Sequence, residues 1–216
     1  MTRLLVLSCL LLAPLACAAA GDVAFKITEA KGDAPVTDAV VSLVPLDTPA
    51  PLTPPAEPLE LSQSGQEFSA FVTPLVVGTT VAFPNADKVS HQVYSLSKPT
   101  KVFTLPLYKP GRSSSVLFDR PGVVVVGCNI HDWMLAYVVV LETPWFAKTA
   151  PDGTAVIANV APGRYRAEVW HPRLGKNETR ELNVAAGPTP VQTFSVALKS
   201  DRRIRRTPEA AGGGYK

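Results

Sequence analysis

The sequence predicts an all-β protein built from two β-sandwiches. Its apolar runs are short and rich in valine, and 21 prolines and 14 glycines divide the 216 residues. A helix needs apolar residues at every third or fourth position over ten or more residues, and that period is almost absent here. Short apolar runs separated by turn residues are typical of antiparallel strands in a sandwich.

The first strands are expected in residues 21–58. Residues 23–28 and 39–44 have the composition of strands, and a Gly32-Asp33 turn joins them. Residues 47–58 contain five prolines, which predicts a stiff, extended linker. Two strands bury too little surface to form a core alone, so this section needs partners from elsewhere in the chain.

Residues 59–142 hold a longer series of predicted strands with the spacing of a sandwich. Turn signals such as Pro84-Asn85, Pro110-Gly111 and Pro121-Gly122 separate them. The predicted strands are 75–77, 79–83, 91–96, 116–118, 123–127 and 135–141.

Residues 143–199 predict a second, smaller antiparallel unit. It opens with the Asp152-Gly153 turn and contains a further turn at Pro162-Gly163. The strands expected here are 155–159, 165–170 and 191–198.

The N-terminus, residues 1–20, has the features of a secretory signal peptide. Arg3 supplies positive charge, residues 4–12 are apolar, and Ala18-Ala19-Ala20 offers small residues for cleavage near Ala20. The apolar run is too short to span a bilayer, which needs about 20 residues, and no other segment is long enough. Lipidation at Cys17 is the alternative, although Pro14 stands where a lipoprotein signal has an aliphatic residue. We therefore expect a periplasmic or secreted protein.

Cleavage near Ala20 removes two of the three cysteines and one of the two methionines, and leaves Cys128 and Met134. A single cysteine in an exported chain cannot form an internal disulfide, and a free thiol is a liability there unless a metal occupies it. Cys128, His131 and Met134 fall within seven residues and offer a thiolate, an imidazole and a thioether, which is a soft ligand set for copper.

A fourth ligand has to come from elsewhere, and His91 is the candidate. It opens a predicted strand 37 residues before Cys128, and sandwich topology can place that strand end beside the loop of Cys128. Two imidazoles and one thiolate, with a weak thioether above them, are the ligands of a blue-copper centre.

These residues have other interpretations. A lone cysteine and a methionine at the start of a strand are often only core residues. Zinc is disfavoured because structural zinc sites use several cysteines, and a covalent haem is excluded because Cys-x-x-Cys-His is absent. A cysteine nucleophile paired with His131 lacks any sign of an oxyanion site. His171 is left out of the site as a structural histidine, and Trp133 fits either the core or an apolar docking patch.

The middle section resembles the cupredoxins. The run 72–85 followed by His91 is similar to their N-terminal half, and Cys128-x-x-His131-x-x-Met134 is similar to the short ligand loop of amicyanin. The run from Asn85 to Leu96, with Cys128-Asn129-Ile130-His131-Asp132, further resembles exported bacterial proteins called methylamine-utilisation proteins. The resemblance covers residues 59–142.

The resemblance implies one type 1 copper ion that passes single electrons between redox partners such as a cytochrome c or a dehydrogenase, with no enzyme activity. It implies His91, Cys128 and His131 as strong ligands and Met134 as the axial ligand. Gln92 stands where many blue-copper proteins have an asparagine that helps to tie the ligand loops together. We expect the backbone of Asn129 to supply a donor to the sulfur.

The outer sections resemble a carboxypeptidase regulatory-like, transthyretin-type sandwich. The resemblance lies in residues 32–43, in Asp152-Gly153-Thr154-Ala155 and in residues 160–165. The two halves flank the copper section, which suggests that the cupredoxin is inserted into this sandwich. Such units are usually scaffolds, so we expect structural support.

Residues 200–216 are expected to form a basic, disordered tail with Arg202, Arg203, Arg205 and Arg206. Docking of the tail to an acidic partner or a phospholipid surface is the alternative, and we expect no nucleic-acid partner for an exported chain. The competing function is a periplasmic copper carrier or a non-redox surface-binding module.

Overall fold

The computed structural model describes residues 20–203 and is all-β, as predicted, with seventeen strands and no helix in that range. The predicted signal peptide lies outside the described residues except for Ala20, as does most of the predicted tail. The strands are β1 (Gly21–Glu29), β2 (Val40–Pro45), β3 (Leu59–Glu60), β4 (Gln63–Ser64), β5 (Glu67–Phe68), β6 (Val72–Val76), β7 (Thr79–Ala82), β8 (Val93–Ser97), β9 (Lys101–Thr104), β10 (Ser115–Phe118), β11 (Gly122–Cys128), β12 (Leu135–Leu141), β13 (Phe146–Lys148), β14 (Thr154–Val160), β15 (Gly163–Trp170), β16 (Glu178–Val184) and β17 (Gln192–Val196).

The first sandwich combines strands from both ends of the described chain. One sheet has the order β14-β1-β17, and the other has the order β13-β2-β15-β16. Their inward residues share one core, in which Phe25, Ile27 and Leu43 meet Ala167 and Phe194. The turn after β1 therefore leads from one sheet to the other and does not form a hairpin. Gly32 has a φ of 89°, a conformation that glycine adopts without steric cost.

The second sandwich is formed by the middle of the chain. A five-stranded sheet, β6-β12-β11-β8-β9, faces a three-stranded sheet, β10-β7-β3, and the hairpin β4-β5 lies beside them. The alternation of strand residues places Val124, Val126 and Cys128 of β11 on the buried face. This alternation directs the cysteine inward, next to the core of Phe83 and Phe118.

The two sandwiches contact each other across the outer face of β12. Val139 of this strand is buried with Val40 and Val72 in a small separate cluster. The ring of Tyr137 lies 5.7 Å from that of Trp170, centroid to centroid. Both faces of β12 are therefore covered, one by its own core and one by the other sandwich.

The strand predictions hold for the long apolar runs, and the differences are local. β3, β4, β5, β9, β13 and β16 were not predicted, and β6 begins three residues before the expected strand. His91 does not open a strand: it forms an isolated bridge with Tyr108, and β8 begins at Val93. The proline-rich stretch 47–58 contains no strand, as expected of a linker.

The described part of the predicted tail, residues 200–203, contacts the second sandwich through Arg203. The guanidinium of Arg203 lies 4.0 Å from the centre of the Phe71 ring and pairs with Asp201 at 2.6 Å.

No helix within residues 20–203 is long and apolar enough to cross a membrane. The exact domain boundaries stay predictions.

Candidate metal centre

The loop between β11 and β12 carries three of the four predicted ligands. Cys128 is the last residue of β11, and Met134 directly precedes β12. Between them the chain turns back, and the backbone N–H of Met134 donates to the carbonyl oxygen of His131 at 2.9 Å. This bond closes a tight loop that holds the imidazole of His131 close to the end of β11.

His91 reaches the same point from the segment between β7 and β8. Its backbone exchanges two hydrogen bonds with Tyr108, at 3.0 and 3.1 Å, so the residue is fixed although it is not part of a strand. The side chain is fully buried. The structure therefore brings His91 to the loop of Cys128 as the sequence predicted.

The three donor atoms converge on one small space. The sulfur of Cys128 lies 3.6 Å from Nδ1 of His91 and 3.7 Å from Nδ1 of His131. One donor atom from each residue lies within 4.8 Å of the others, and all three side chains are buried. Two imidazoles and a thiol in contact are the strong donors of a metal site.

These separations fit a metal ion. An ion about 2.0 Å from a histidine nitrogen and about 2.3 Å from a thiolate, with about 115° between the bonds, places the two donors about 3.6 Å apart. The observed separations match that value without rearrangement. A soft thiolate with two imidazoles is the trigonal set that suits copper, and copper therefore fits the residues present.

Met134 is buried, with 2% of its surface exposed, at the base of the strand that follows the loop. Its role as the axial ligand stays a prediction.

The surroundings of Cys128 favour the thiolate that a metal needs. Burial raises the pKa of the thiol, but the hydrogen bond with His91, the backbone donors of Gln92 and Ile130, and the contact with His131 outweigh burial and lower the pKa to about 6. The backbone donors thus come from Gln92 and Ile130. The expectation that Asn129 supplies one is wrong, because its N–H donates to the carbonyl of Gln92 at 2.9 Å.

Gln92 and Asn129 tie the two ligand segments together. Besides the backbone bond, the side-chain Nδ2 of Asn129 donates to Oε1 of Gln92 at 2.9 Å. Glutamine in place of the expected asparagine therefore still joins the segment of His91 to the segment of Cys128. This pair fixes the relative positions of two predicted ligands.

Asp87 supports His91 from the side opposite to the sulfur. Nε2 of His91 lies 2.8 Å from the Asp87 carboxylate, which also accepts the N–H groups of Gly65 at 2.6 Å and Gln66 at 2.8 Å. Burial raises the pKa of Asp87, but its hydrogen bonds to Gln66, His91 and Gly65 lower it overall. Because the carboxylate is ionised, Nε2 carries the proton and Nδ1 is left free to bind a metal.

His131 is supported by Trp133. The two ring centroids lie 5.4 Å apart, and the indole N–H donates to the carbonyl of Gln66 at 2.9 Å. His131 is buried, with 5% of its surface exposed. Trp133, which the sequence left open between two roles, packs against the predicted ligand.

Sequence reasoning missed the support from Asp87 and Gln66. A carboxylate four residues before a candidate ligand was a usable signal, because metal-binding histidines commonly donate to a carboxylate. The role of Gln66 had no sequence signal, because it depends on a contact between distant segments. His171 lies outside the site, as expected: it is buried, and its Nδ1 accepts the N–H of Arg173 at 3.2 Å.

Comparison with known proteins gives partial similarities. No protein-family model matches the chain, and no curated protein matches it. Among solved structures, a purple cupredoxin from Nitrosopumilus maritimus is 26% identical and has a TM-score of 0.35, with 38% of this chain and 99% of that chain covered. A copper-containing nitrite reductase from Thermus scotoductus is 27% identical, with a TM-score of 0.39 and coverage of 46% and 25%. A reduced amicyanin mutant is 21% identical, with a TM-score of 0.37 and coverage of 47% and 98%. These similarities span less than half of this chain, so the functional argument rests on its own residues.

Proposed function

We propose that this chain is a type 1 copper protein that transfers single electrons between redox partners. The observation that carries the proposal is the placement of the Cys128 sulfur 3.6 and 3.7 Å from two imidazole nitrogens in a buried space. His91, Cys128 and His131 are the strong ligands, and Met134 is the axial ligand that tunes the potential.

Bound copper supplies the one-electron change between Cu(II) and Cu(I). The protein holds the donor atoms in one arrangement for both states. His91 is fixed by its two backbone bonds to Tyr108 and by Asp87, while Met134 closes the loop through its bond to His131. Because these contacts do not involve the metal, they persist when its charge changes, and the structural rearrangement during transfer is small.

Electrons leave through His131 in this proposal. His131 is 5% exposed and His91 is fully buried, so the ring of His131 is the strong ligand nearest to solvent at the loop. Trp133 and the half-exposed Ile130 lie on either side of it in the chain, and 43% of the Ile130 surface is accessible. An apolar surface beside the exit ligand favours close approach of a partner.

Burial of the ligands favours electron transfer over copper carriage. A carrier exchanges its metal and needs an open site, whereas the three strong donors here are between 0% and 5% exposed. We therefore assign the chain electron transfer and no catalytic reaction.

The setting of the protein is also part of the proposal. We place it in the periplasm or outside the cell after cleavage near Ala20, with a redox protein as donor and another as acceptor. The arginines at 202, 203, 205 and 206 would dock an acidic partner. Their replacement by serine should then slow reduction by that partner at low salt and leave the rate at high salt unchanged.

Voltammetry of the copper-loaded protein tests the function. We expect one reversible one-electron wave and no loss of copper during incubation with a mild chelator in either oxidation state. Loss of the metal within minutes in the reduced state would instead identify a copper carrier.

A further inference from the structure

A cavity of about 850 Å³ lies between the two sandwiches, away from the donor atoms of the metal centre. One wall comes from the second sandwich and consists of Phe71, Leu135 and Tyr137. The opposite wall includes His171 and Leu198 of the first sandwich. The volume is within the range of about 300 to 1,000 Å³ that is usual for small-molecule sites, and the position between two domains is also usual for them.

The charges around the cavity leave an excess of positive charge. Its three acidic lining residues all have cationic neighbours: Asp201 lies 2.6 Å from Arg203, Asp38 lies 3.3 Å from Lys148, and Glu29 lies 3.6 Å from Arg173. Two further cations at the rim, Lys199 and Arg202, form no ion pair and no side-chain hydrogen bond among residues 20–203. An anion in the cavity would therefore meet two uncompensated cations.

His171 adds a hydrogen-bond donor to the same cavity. It is 94% buried, since 6% of its surface is exposed, and it lines the cavity. Its Nδ1 accepts the backbone N–H of Arg173 at 3.2 Å, so the ring proton lies on Nε2. Nε2 has no hydrogen-bond partner within the described part of the chain. Burial, together with the charge of Arg173, lowers the pKa of His171 to about 4 and keeps the ring neutral near pH 7.

We propose that this cavity binds a small organic carboxylate with an apolar body. The carboxylate accepts a hydrogen bond from Nε2–H of His171 and faces Lys199 and Arg202, while the hydrocarbon part packs on Phe71, Leu135 and Tyr137. A carboxylate oxygen would accept the hydrogen bond that Nε2–H does not make within residues 20–203, and the apolar wall favours a ligand with a hydrocarbon part over a small inorganic anion. A neutral or cationic analogue lacks the group that these donors recognise.

Titration calorimetry on the copper-free mature protein with 4-phenylbutanoate tests the proposal independently of metal binding. We expect saturable binding with a dissociation constant below about 1 mM, and at least about 10-fold weaker binding of 4-phenylbutanol and 4-phenylbutylamine. No saturable heat up to about 10 mM, or equal binding of the three compounds, would overturn the proposal.

Substitutions in the cavity lining test which residues bind 4-phenylbutanoate. The double variant Lys199→Gln, Arg202→Gln should bind 4-phenylbutanoate about 10-fold more weakly than the parent protein. The control double variant Lys109→Gln, Lys176→Gln replaces two exposed lysines outside the cavity and should bind it as the parent does. His171→Phe should weaken it, and His171→Gln, which keeps an N–H donor, should restore it in part. Equal affinities in all four variants would contradict the assignment.

Residues 204–216 follow directly after the cavity lining and provide a second check. Removal of these residues should leave the affinity for 4-phenylbutanoate unchanged. Binding that appears only after their removal would show that the tail is the occupant and would contradict a small-molecule site.

Discussion

The indole N–H of Trp133 donates to the carbonyl oxygen of Gln66 at 2.9 Å, while the N–H of the same Gln66 donates to Asp87 at 2.8 Å. One residue in the turn of the β4-β5 hairpin thus contacts the side chains that support both His91 and His131. Gln66 has a φ of 59°, an uncommon conformation for a residue with a side chain. The hairpin therefore acts as a brace between the two histidines.

Removal of the Trp133 donor tests this brace. Trp133→Phe keeps an aromatic ring beside His131 but loses the hydrogen bond to Gln66, so we expect a loss of about 1 kcal/mol in stability and faster release of copper. Trp145→Phe is the matched control, because that indole donates to the carbonyl of Asn159 at 3.3 Å in the first sandwich. Urea unfolding and copper release into a chelator measure both effects. Equal release rates for the two variants would argue against the brace.

The carboxylate beside His91 is predicted to lower the reduction potential. Asp87→Asn removes a negative charge that favours Cu(II) over Cu(I), so the potential should rise. If the substitution lowers the affinity for Cu(II) tenfold relative to the affinity for Cu(I), the reduction potential rises by about 59 mV. Voltammetry measures the change, and Asp119→Asn, which removes an exposed carboxylate paired with Lys101 at 2.9 Å, is the control. An unchanged or lower potential in Asp87→Asn would refute this role.

Met134 is predicted to tune the centre without being needed for copper binding. Met134→Leu keeps a buried apolar side chain of similar size and removes the thioether, so the potential should rise while copper still binds at one equivalent. Spectroscopic titration with copper and voltammetry check the two parts separately. Loss of copper binding would show that Met134 is a required ligand, and no change in potential would remove it from the ligand set.

His171 is predicted to make the fold less stable in acid. Its pKa in the folded protein is lowered from 6.5 to about 4, because of burial first and the charge of Arg173 second, with Asp38, Asp201 and Arg203 also nearby. Between these two values the unfolded chain binds a proton that the folded protein does not, so stability falls as the pH falls from about 6.5 to 4. The loss at pH 4.5 is about 2 kcal/mol.

Urea unfolding of His171→Gln over the same pH range measures this contribution. The variant should lose less stability than the parent between pH 7 and pH 4.5, because its side chain does not titrate. An equal loss in both proteins would mean that His171 is not the group responsible.

The sequence predicted those parts of the fold that have a strong local signal. β12 was predicted with the right ends because seven consecutive residues are apolar or aromatic between a tight loop and a glutamate. β3, β4 and β5 have two residues each, which is too short to show the alternation of apolar and polar residues that predicts a strand. β16 is mostly exposed and rich in charged residues, so its strand conformation depends on pairing with β15 and not on its own composition.

In the candidate site, too, the contacts with a local sequence signal were the predictable ones. The proximity of Cys128 and His131 was predictable from their spacing along one loop, and that of His91 from sandwich topology, while the role of Met134 stays a prediction. The contacts of Gln66 with Asp87 and Trp133 were not, because they join segments 21 and 67 residues apart. The cavity was not predictable either, since residues from both sandwiches form its walls.

The most direct test of the copper assignment is the visible and electron paramagnetic resonance spectrum of the mature protein after loading with one equivalent of Cu(II). We expect an intense thiolate-to-copper band at about 600 nm, which disappears in Cys128→Ser. A colourless protein, a band that persists in Cys128→Ser, or copper that a mild chelator removes would contradict a type 1 copper centre at Cys128.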